Sequence, residues 1–410
     1  MSLANNIEFL RRLPKLSDFK GLSGLPHGFG RAATSSRLSE TTGFGSNPGD
    51  LKMFSYLPGD QRARQKLPLV VVLHGCTQNA AGYDAGAGWS TLAERYGFAL
   101  LMPEQKASNN GNGCFNWFNP EDIARDSGEA GSIRQMIARM ARELSIDTDR
   151  IFVTGLSAGG AMTSVMLATY PELFAGGAII AGLPYGIATN IQQALNGMYQ
   201  APSRPARELG DLVRNASSYK GPWPKLSVWH GSADKTVNPS NADEIVKQWL
   251  DVHHLPPTPM SESTVDGYPR ALWWNADGET LVESYTITDM AHGTPLGIAD
   301  NDERYGTQGA FMIEAGISSS YHIASFFGLT DRVHQPSEAS MPAAAAAAAS
   351  TTITMAPAAF PPPPAPELNA IPWPLAVSPG YAKSRRPPPR PAVDVGAVIT
   401  RALTAAGLMK

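Results

Sequence analysis

Ile151-Phe152-Val153-Thr154-Gly155-Leu156-Ser157-Ala158-Gly159-Gly160 is the stretch whose reading decides the fold. An apolar, β-type run enters a Gly-x-Ser-x-Gly turn, and small, helix-forming residues continue from Ala158 to Thr169. The pattern predicts a strand, a sharp turn and a helix, with Ser157 held out at the end of the strand. So tight a turn leaves room only for small neighbours, which Gly155 and Gly159 provide. Ala158, opening the helix, would aim its backbone N–H at negative charge developing beside the serine. The five-residue pattern alone is common; the strand before it and the helix after it give it chemical meaning.

Working outward, Leu69-Val70-Val71-Val72-Leu73 is a continuous apolar run, which suits a strand buried on both faces of a parallel sheet. It ends in His74-Gly75-Cys76, and a helix over 89–96 leads to a strand over 98–102. A long loop over 103–120 carries an aromatic cluster, Phe115-Asn116-Trp117-Phe118, which favours an ordered, functional loop. Ile133, Met136, Ile137, Met140 and Leu144 form one helical stripe ahead of the Ser157 strand. Beyond the Ser157 helix come a buried strand over 178–181 and an irregular cap or insertion over 183–222. Then follow a strand over 226–230, a helix over 242–250, a strand over 281–287 near the sheet edge, and a closing helix over 321–329. Alternating strands and helices predict an α/β fold with a mainly parallel sheet and helices on both faces. With the serine turn, that is an α/β-hydrolase.

The chain of 410 residues divides by composition. Residues 1–49, rich in Gly, Ser and Thr, read as an N-terminal extension with a short helix near residues 6–12. Residues 50–332 read as the catalytic domain. Residues 333–391 collapse to Ala, Pro, Ser and Thr, a linker too poor in apolar surface to fold, and 392–410 carry a short amphipathic helix pattern. Charged residues make up 17% of the chain, below the usual figure of about 25%. Lys plus Arg (33) nearly balances Asp plus Glu (36), so no basic excess points to nucleic acid. No run of about 18 apolar residues predicts a transmembrane helix. Residues 1–30 show no signal-peptide pattern, which favours a cytoplasmic location.

A serine needs a base, and the base needs an acid to orient it. This fold takes them in the order Ser, acid, His, on loops after later strands. Asp234 follows the 226–230 strand in Gly231-Ser232-Ala233-Asp234; Asp243, Asp266 and Asp277 follow no comparable run. Among the eight histidines, His292 in Met290-Ala291-His292-Gly293 follows the last strand in a glycine-containing loop and is the expected base. His74 and His230 end strands ahead of glycines and read as structural. The second oxyanion donor is expected after the first strong strand, at the Cys76 backbone N–H. Trp117, Phe118 and Trp89 are the aromatic residues expected to line an apolar cleft. No paired His/Cys spacing indicates a metal, and the chemistry calls for no cofactor.

Leu73-His74-Gly75-Cys76-Thr77-Gln78, Cys114-Phe115-Asn116-Trp117-Phe118, Gly155-Leu156-Ser157-Ala158-Gly159-Gly160-Ala161-Met162, His230-Gly231-Ser232-Ala233-Asp234-Lys235-Thr236-Val237 and Met290-Ala291-His292-Gly293 occur in order. Together they resemble the polyhydroxybutyrate (PHB) depolymerase family of esterases, relatives of feruloyl and acetylxylan esterases. The resemblance covers roughly residues 50–330. It implies a Ser157, Asp234, His292 triad, oxyanion donors at Cys76 and Ala158, an ester polymer or oligomer as substrate, and a secreted location. A Cys76–Cys114 bridge is hypothesised from these motifs; it would close about 39 residues, worth on the order of 3–4 kcal/mol. The expected activity is hydrolysis of polyhydroxyalkanoate esters through an acyl-enzyme. Alternatives are a feruloyl or acetylxylan-type carbohydrate esterase and a granule-associated binding protein acting through its tail.

Overall fold

The computed structural model describes residues 36–59 and 66–331. The helix expected near residues 6–12, the linker over 333–391 and the helix over 392–410 lie outside the described residues.

The strand-rich core forms because β3 (Leu67–Leu73), β4 (Ala99–Glu104), β5 (Ile146–Leu156), β6 (Gly176–Ile180), β7 (Lys225–Gly231) and β10 (Thr280–Ile287) each send apolar side chains to both faces. They pair in parallel in the order β4-β3-β5-β6-β7-β10. Strand pleating sends alternate residues to opposite sides. Leu69, Val71 and Leu73 of β3 enter one core with Ile151 and Val153 of β5; Val70 and Val72 enter the other with Phe152 and Leu156. The first core is covered by α4 (Gly128–Glu143), α5 (Ala158–Thr169) and α8 (Ser240–His253), through Ile133, Met162, Trp249 and their neighbours. The second is covered by α1 (Ala80–Ala87), α2 (Trp89–Tyr96) and α9 (Ser319–Phe326), through Tyr83, Leu92 and Ile323. Helices thus lie on both faces, as the alternation predicts. α3 (Pro120–Ile123) is a single short turn before α4.

Three expectations change. The sheet extends at both ends by antiparallel strands: β1 (Ser39–Thr41) and β2 (Lys52–Tyr56) beside β4, and β9 (Tyr268–Trp274) and β8 (Ser261–Val265) beside β10. The strand read as lying near the edge is therefore interior, two strands in from β8. The β8–β9 hairpin escapes a sequence reading because β8 is polar and largely exposed, and Pro269 argues against a strand. Its turn is Asp266-Gly267, both at positive φ, the pairing such two-residue hairpins use. The insertion over 183–222 is more regular than its composition implies. It holds α6 (Ile191–Gln200), capped by the Asn190 side chain, and α7 (Ala206–Asn215), packed on α8. A small two-stranded sheet of β11 (Thr294–Leu296) and β12 (Met312–Glu314) follows β10.

Candidate functional site

The end of β5 shows why the serine turn needs its glycines. Ser157 sits at φ 58°, ψ −117°, a strained conformation for any non-glycine residue. A Cβ on Gly155 would lie 2.5 Å from the Gly159 backbone and 2.8 Å from Leu73 O. One on Gly159 would lie 2.3 Å from Leu73 O and 2.6 Å from His74 O. The helix N-terminus is thereby pressed against the loop after β3. That contact sets the Ala158 N–H beside the segment carrying Cys76, and neither N–H donates to a protein acceptor among the described residues.

The Cys76 loop is held on every side. Gly75 N donates to Gln78 Oε1 at 2.9 Å, and Thr77, at φ 64°, donates its N–H to Asn112 O at 2.7 Å. A disulfide joins Cys76 to Cys114 across 38 residues. His74 is locked beneath the loop: its Nδ1–H donates to Gly75 O at 2.8 Å and its Nε2 accepts from Gln105 N at 3.1 Å. Both ring nitrogens are occupied, and burial pushes its pKa down. Next to it, the buried Glu129 carboxylate accepts from Gln105 Nε2 at 2.5 Å, Asn116 N at 2.8 Å and Asn116 Nδ2 at 2.7 Å. Burial, then the Asp122 charge, push Glu129 up to about 8 against those three donors. This polar knot fastens the 105–119 loop to α4.

Across the sheet, the loops after β7 and β10 interlock. Ser232 N donates to Ile287 O, Ala233 N to Met290 O (both 3.0 Å), and Asp289 N to Ser232 Oγ at 2.9 Å. A Cβ on Gly231 would lie 2.3 Å from Met290 O, so only glycine admits this approach. The result brings Asp234 and His292, 58 residues apart, to 2.6 Å between Oδ2 and Nδ1. Asp234 Oδ1 accepts the N–H groups of Thr236 (2.8 Å) and Val237 (2.9 Å), and Oδ2 also accepts His230 Nε2–H at 3.1 Å. Burial alone would raise this carboxyl. Hydrogen bonds from His230 and His292 outweigh it and hold Asp234 well below the usual carboxylate range. With Nδ1 committed to Asp234, His292 Nε2 has no protein partner among the described residues. No hydrogen bond joins it to Ser157 Oγ; both residues are buried at the carboxyl end of the sheet, with exposures of 9% and 8%.

This order of serine, acid and histidine at the ends of β5, β7 and β10 sits within a recognisable family. Residues 51–256 match the family described as esterase PHB depolymerase. The chain belongs to the PHB depolymerase family of esterases. As such it is a carboxylic-ester hydrolase. It is 47% identical over 293 residues to poly(3-hydroxyalkanoate) depolymerase C of Paucimonas lemoignei, covering 71% of this chain and 70% of that one. An acetylxylan esterase of Coprinopsis cinerea is 33% identical over 266 residues, covering 63% of this chain and 70% of its own. An acetyl xylan esterase structure from Aspergillus awamori shares the fold, with TM-score 0.60 and 24% identity over 72% of this chain and 99% of that one.

Among the aromatic residues expected to line the cleft of this PHB depolymerase family member, Trp89 does not. It is fully buried in the second core at the start of α2. Trp117 is 7% exposed, edge-on to the half-buried Phe118 at 5.5 Å. Two further residues touch His292 or Asp234. Phe311, at φ 61°, lies edge-on to His292 with ring centroids 6.0 Å apart; only tertiary structure brings β12 there. His230, which its place at a strand end marks as structural, hydrogen-bonds Asp234, and its four-residue spacing from Asp234 across a turn is visible in the sequence. No helix among the described residues is long and apolar enough to cross a membrane.

Proposed function

We propose that the chain hydrolyses ester bonds of polyhydroxyalkanoates, with Ser157 as nucleophile, His292 as base and Asp234 as the acid that orients it. Ser157 Oγ attacks the ester carbonyl carbon while His292 Nε2 takes its proton. The carbonyl oxygen, gaining negative charge, is met by the N–H groups of Cys76 and Ala158 at the positive end of α5. The tetrahedral intermediate collapses, the C–O bond to the alcohol breaks, and His292 returns the proton to the departing oxygen. Water then attacks the acyl-serine with the same base, and the hydroxy acid leaves as Ser157 recovers its proton. Asp234 stays ionised throughout, stabilising the imidazolium without accepting its proton.

The observation that carries this reading is the 2.6 Å His292–Asp234 hydrogen bond on a carboxylate saturated by four donors. Support for the acyl class comes from the 47% identity to a poly(3-hydroxyalkanoate) depolymerase. A second reading, deacetylation of xylan, draws on the 33% identity to an acetylxylan esterase. The Cys76–Cys114 bridge supports work in an oxidising compartment, since cytosolic thiols are kept reduced. Ser157→Ala is expected to abolish release of 3-hydroxybutyrate from its oligomers while leaving the circular-dichroism spectrum intact. Retained turnover would sink the nucleophile assignment, and faster release of acetate from acetylated xylan than of hydroxybutyrate would favour the second reading.

A further inference from the structure

Asp234 Oδ2 receives two imidazoles. His292 Nδ1 approaches at 2.6 Å and His230 Nε2 at 3.1 Å. His230 Nε2 also lies 3.0 Å from Val237 O. Both of its partners are acceptors, so Nε2 carries the hydrogen and donates to both. The opposite nitrogen, His230 Nδ1, is buried without a hydrogen-bond partner among the described residues. A ring 3% exposed, with one nitrogen left unpaired, is a poor structural filler: a leucine would fit the apolar demand without that cost. Its whole polar investment goes into Asp234 and the turn that carries it.

We infer that His230 is a positioning residue for the esterase reaction, sharing the Asp234 carboxylate with His292 and so setting how strongly that carboxylate acts on the base. The inference rests on the triad reading above. The Thr236 and Val237 N–H groups hold Oδ1, and His230 and His292 both hold Oδ2, so the carboxylate is gripped at both oxygens. A donor on the same oxygen draws negative charge away from His292. Removing it leaves Asp234 more basic, with Oδ2 held by His292 alone, and the imidazolium form of His292 more favoured. The ionisable groups facing His230 are Asp234 from its own loop, His292 from the loop after β10 and Asp243 from the first turn of α8. Only the first two hydrogen-bond to one another.

The test is the pH dependence of kcat/KM on a short chromogenic ester, with the full chain. His230→Leu removes the donor. Its kcat is expected to fall about tenfold, the scale of one hydrogen bond to a charged group. The acidic limb of its profile is expected to move up by roughly half to one pH unit as the imidazolium gains stability. His230→Asn, too short to reach Asp234, is expected to behave likewise. His230→Gln, whose amide Nε2–H reaches the same place, is expected to restore the limb and bring kcat to within about twofold of wild type. A purely structural histidine would lower kcat or stability without moving the limb, so an unmoved limb in the Leu and Asn variants overturns the inference. A measurement on the wild-type protein keeps the inference open to refutation even if those variants fail to fold. Imidazole ¹⁵N shifts are expected to show His230 protonated at Nε2, and an Nδ1–H tautomer overturns the inference. Failure of the triad reading is seen separately, as retained turnover in His292→Ala, while the His230 tautomer is read on the wild-type protein.

Discussion

Gly159→Ala sets two magnitudes against each other at the serine turn. Gly159 is in the first turn of α5 and its φ is ordinary, so helix propensity alone predicts that alanine would stabilise by about 1 kcal/mol. Sterics predict the reverse. The new Cβ would stand 2.3 Å from Leu73 O and 2.6 Å from His74 O, whereas real Cβ atoms essentially never come closer than 3.0 Å. The obstacles are backbone, which cannot rotate aside, so the loop after β3 and the start of α5 must part by about 0.7 Å, an overpacking cost of about 1–3 kcal/mol. Sterics should win, and the consequence is larger for chemistry than for stability. The parting separates the Cys76 and Ala158 N–H groups, and displacements approaching 1 Å cost about 10²-fold in rate. The assay is kcat on a short ester together with the denaturant midpoint. Gly111→Ala, with nothing within 4 Å of its Cβ, is the control and should leave both unchanged. A Gly159→Ala enzyme with wild-type kcat and a raised midpoint would refute the reasoning, because it would mean that the turn has slack.

Two more perturbations test the support around the site. Reducing the Cys76–Cys114 bridge frees a loop of 38 residues, which should lower stability by about 4 kcal/mol in the chain-entropy estimate. It should also slow turnover by releasing the Cys76 N–H. Denaturant titration with and without reductant measures the first, and an unchanged midpoint after both thiols are shown to be free would contradict it. Glu129 is pushed up to about 8 in the folded protein, against an ordinary value of 4.5. The folded state thus favours its protonated form. Its contribution to stability is full below about pH 4.5 and is lost as pH rises toward 8. The folding midpoint of wild type minus that of Glu129→Gln should fall across this window. The variant itself should be less stable throughout, since its amide N–H₂ would face the Asn116 N–H. A difference that is flat between pH 5 and 8 would rule the titration out.

Strong periodicity and motif spacing made much of this molecule legible. The apolar runs of β3, β5 and β7, alternating with helical stretches, suit strands buried on both faces of a parallel sheet, so the sheet's middle could be placed from residues alone. Asp234 and His292 could be singled out because each follows a strand in a turn whose glycine the fold needs, and Gly231 shows the need physically. Where a segment is half-exposed the signal fades. The β8–β9 hairpin and β2 bury little. Helices α6 and α7, of only 10 residues each, bury a few mostly small positions, Ala194 and Gly197 in one and Leu209, Gly210 and Val213 in the other. Trp89 shows a further limit: an aromatic residue near a motif can be core or cleft, and composition does not tell the two apart.

The sequence by itself determined the strand–turn–helix at Ser157, the order of the three polar residues and the alternation that makes an α/β sheet. Each of these is read from motifs and periodicities a few residues long, taken in their order along the chain. Only the tertiary structure decided that His292 Nδ1 meets Asp234 Oδ2 across 58 residues, and that His230 joins them on the same oxygen. It also placed Phe311 against the base and tied Gln105 and Asn116 to one buried carboxylate. Contacts between loops on different strands depend on strand order and on how far each loop reaches, and no spacing along the chain encodes either.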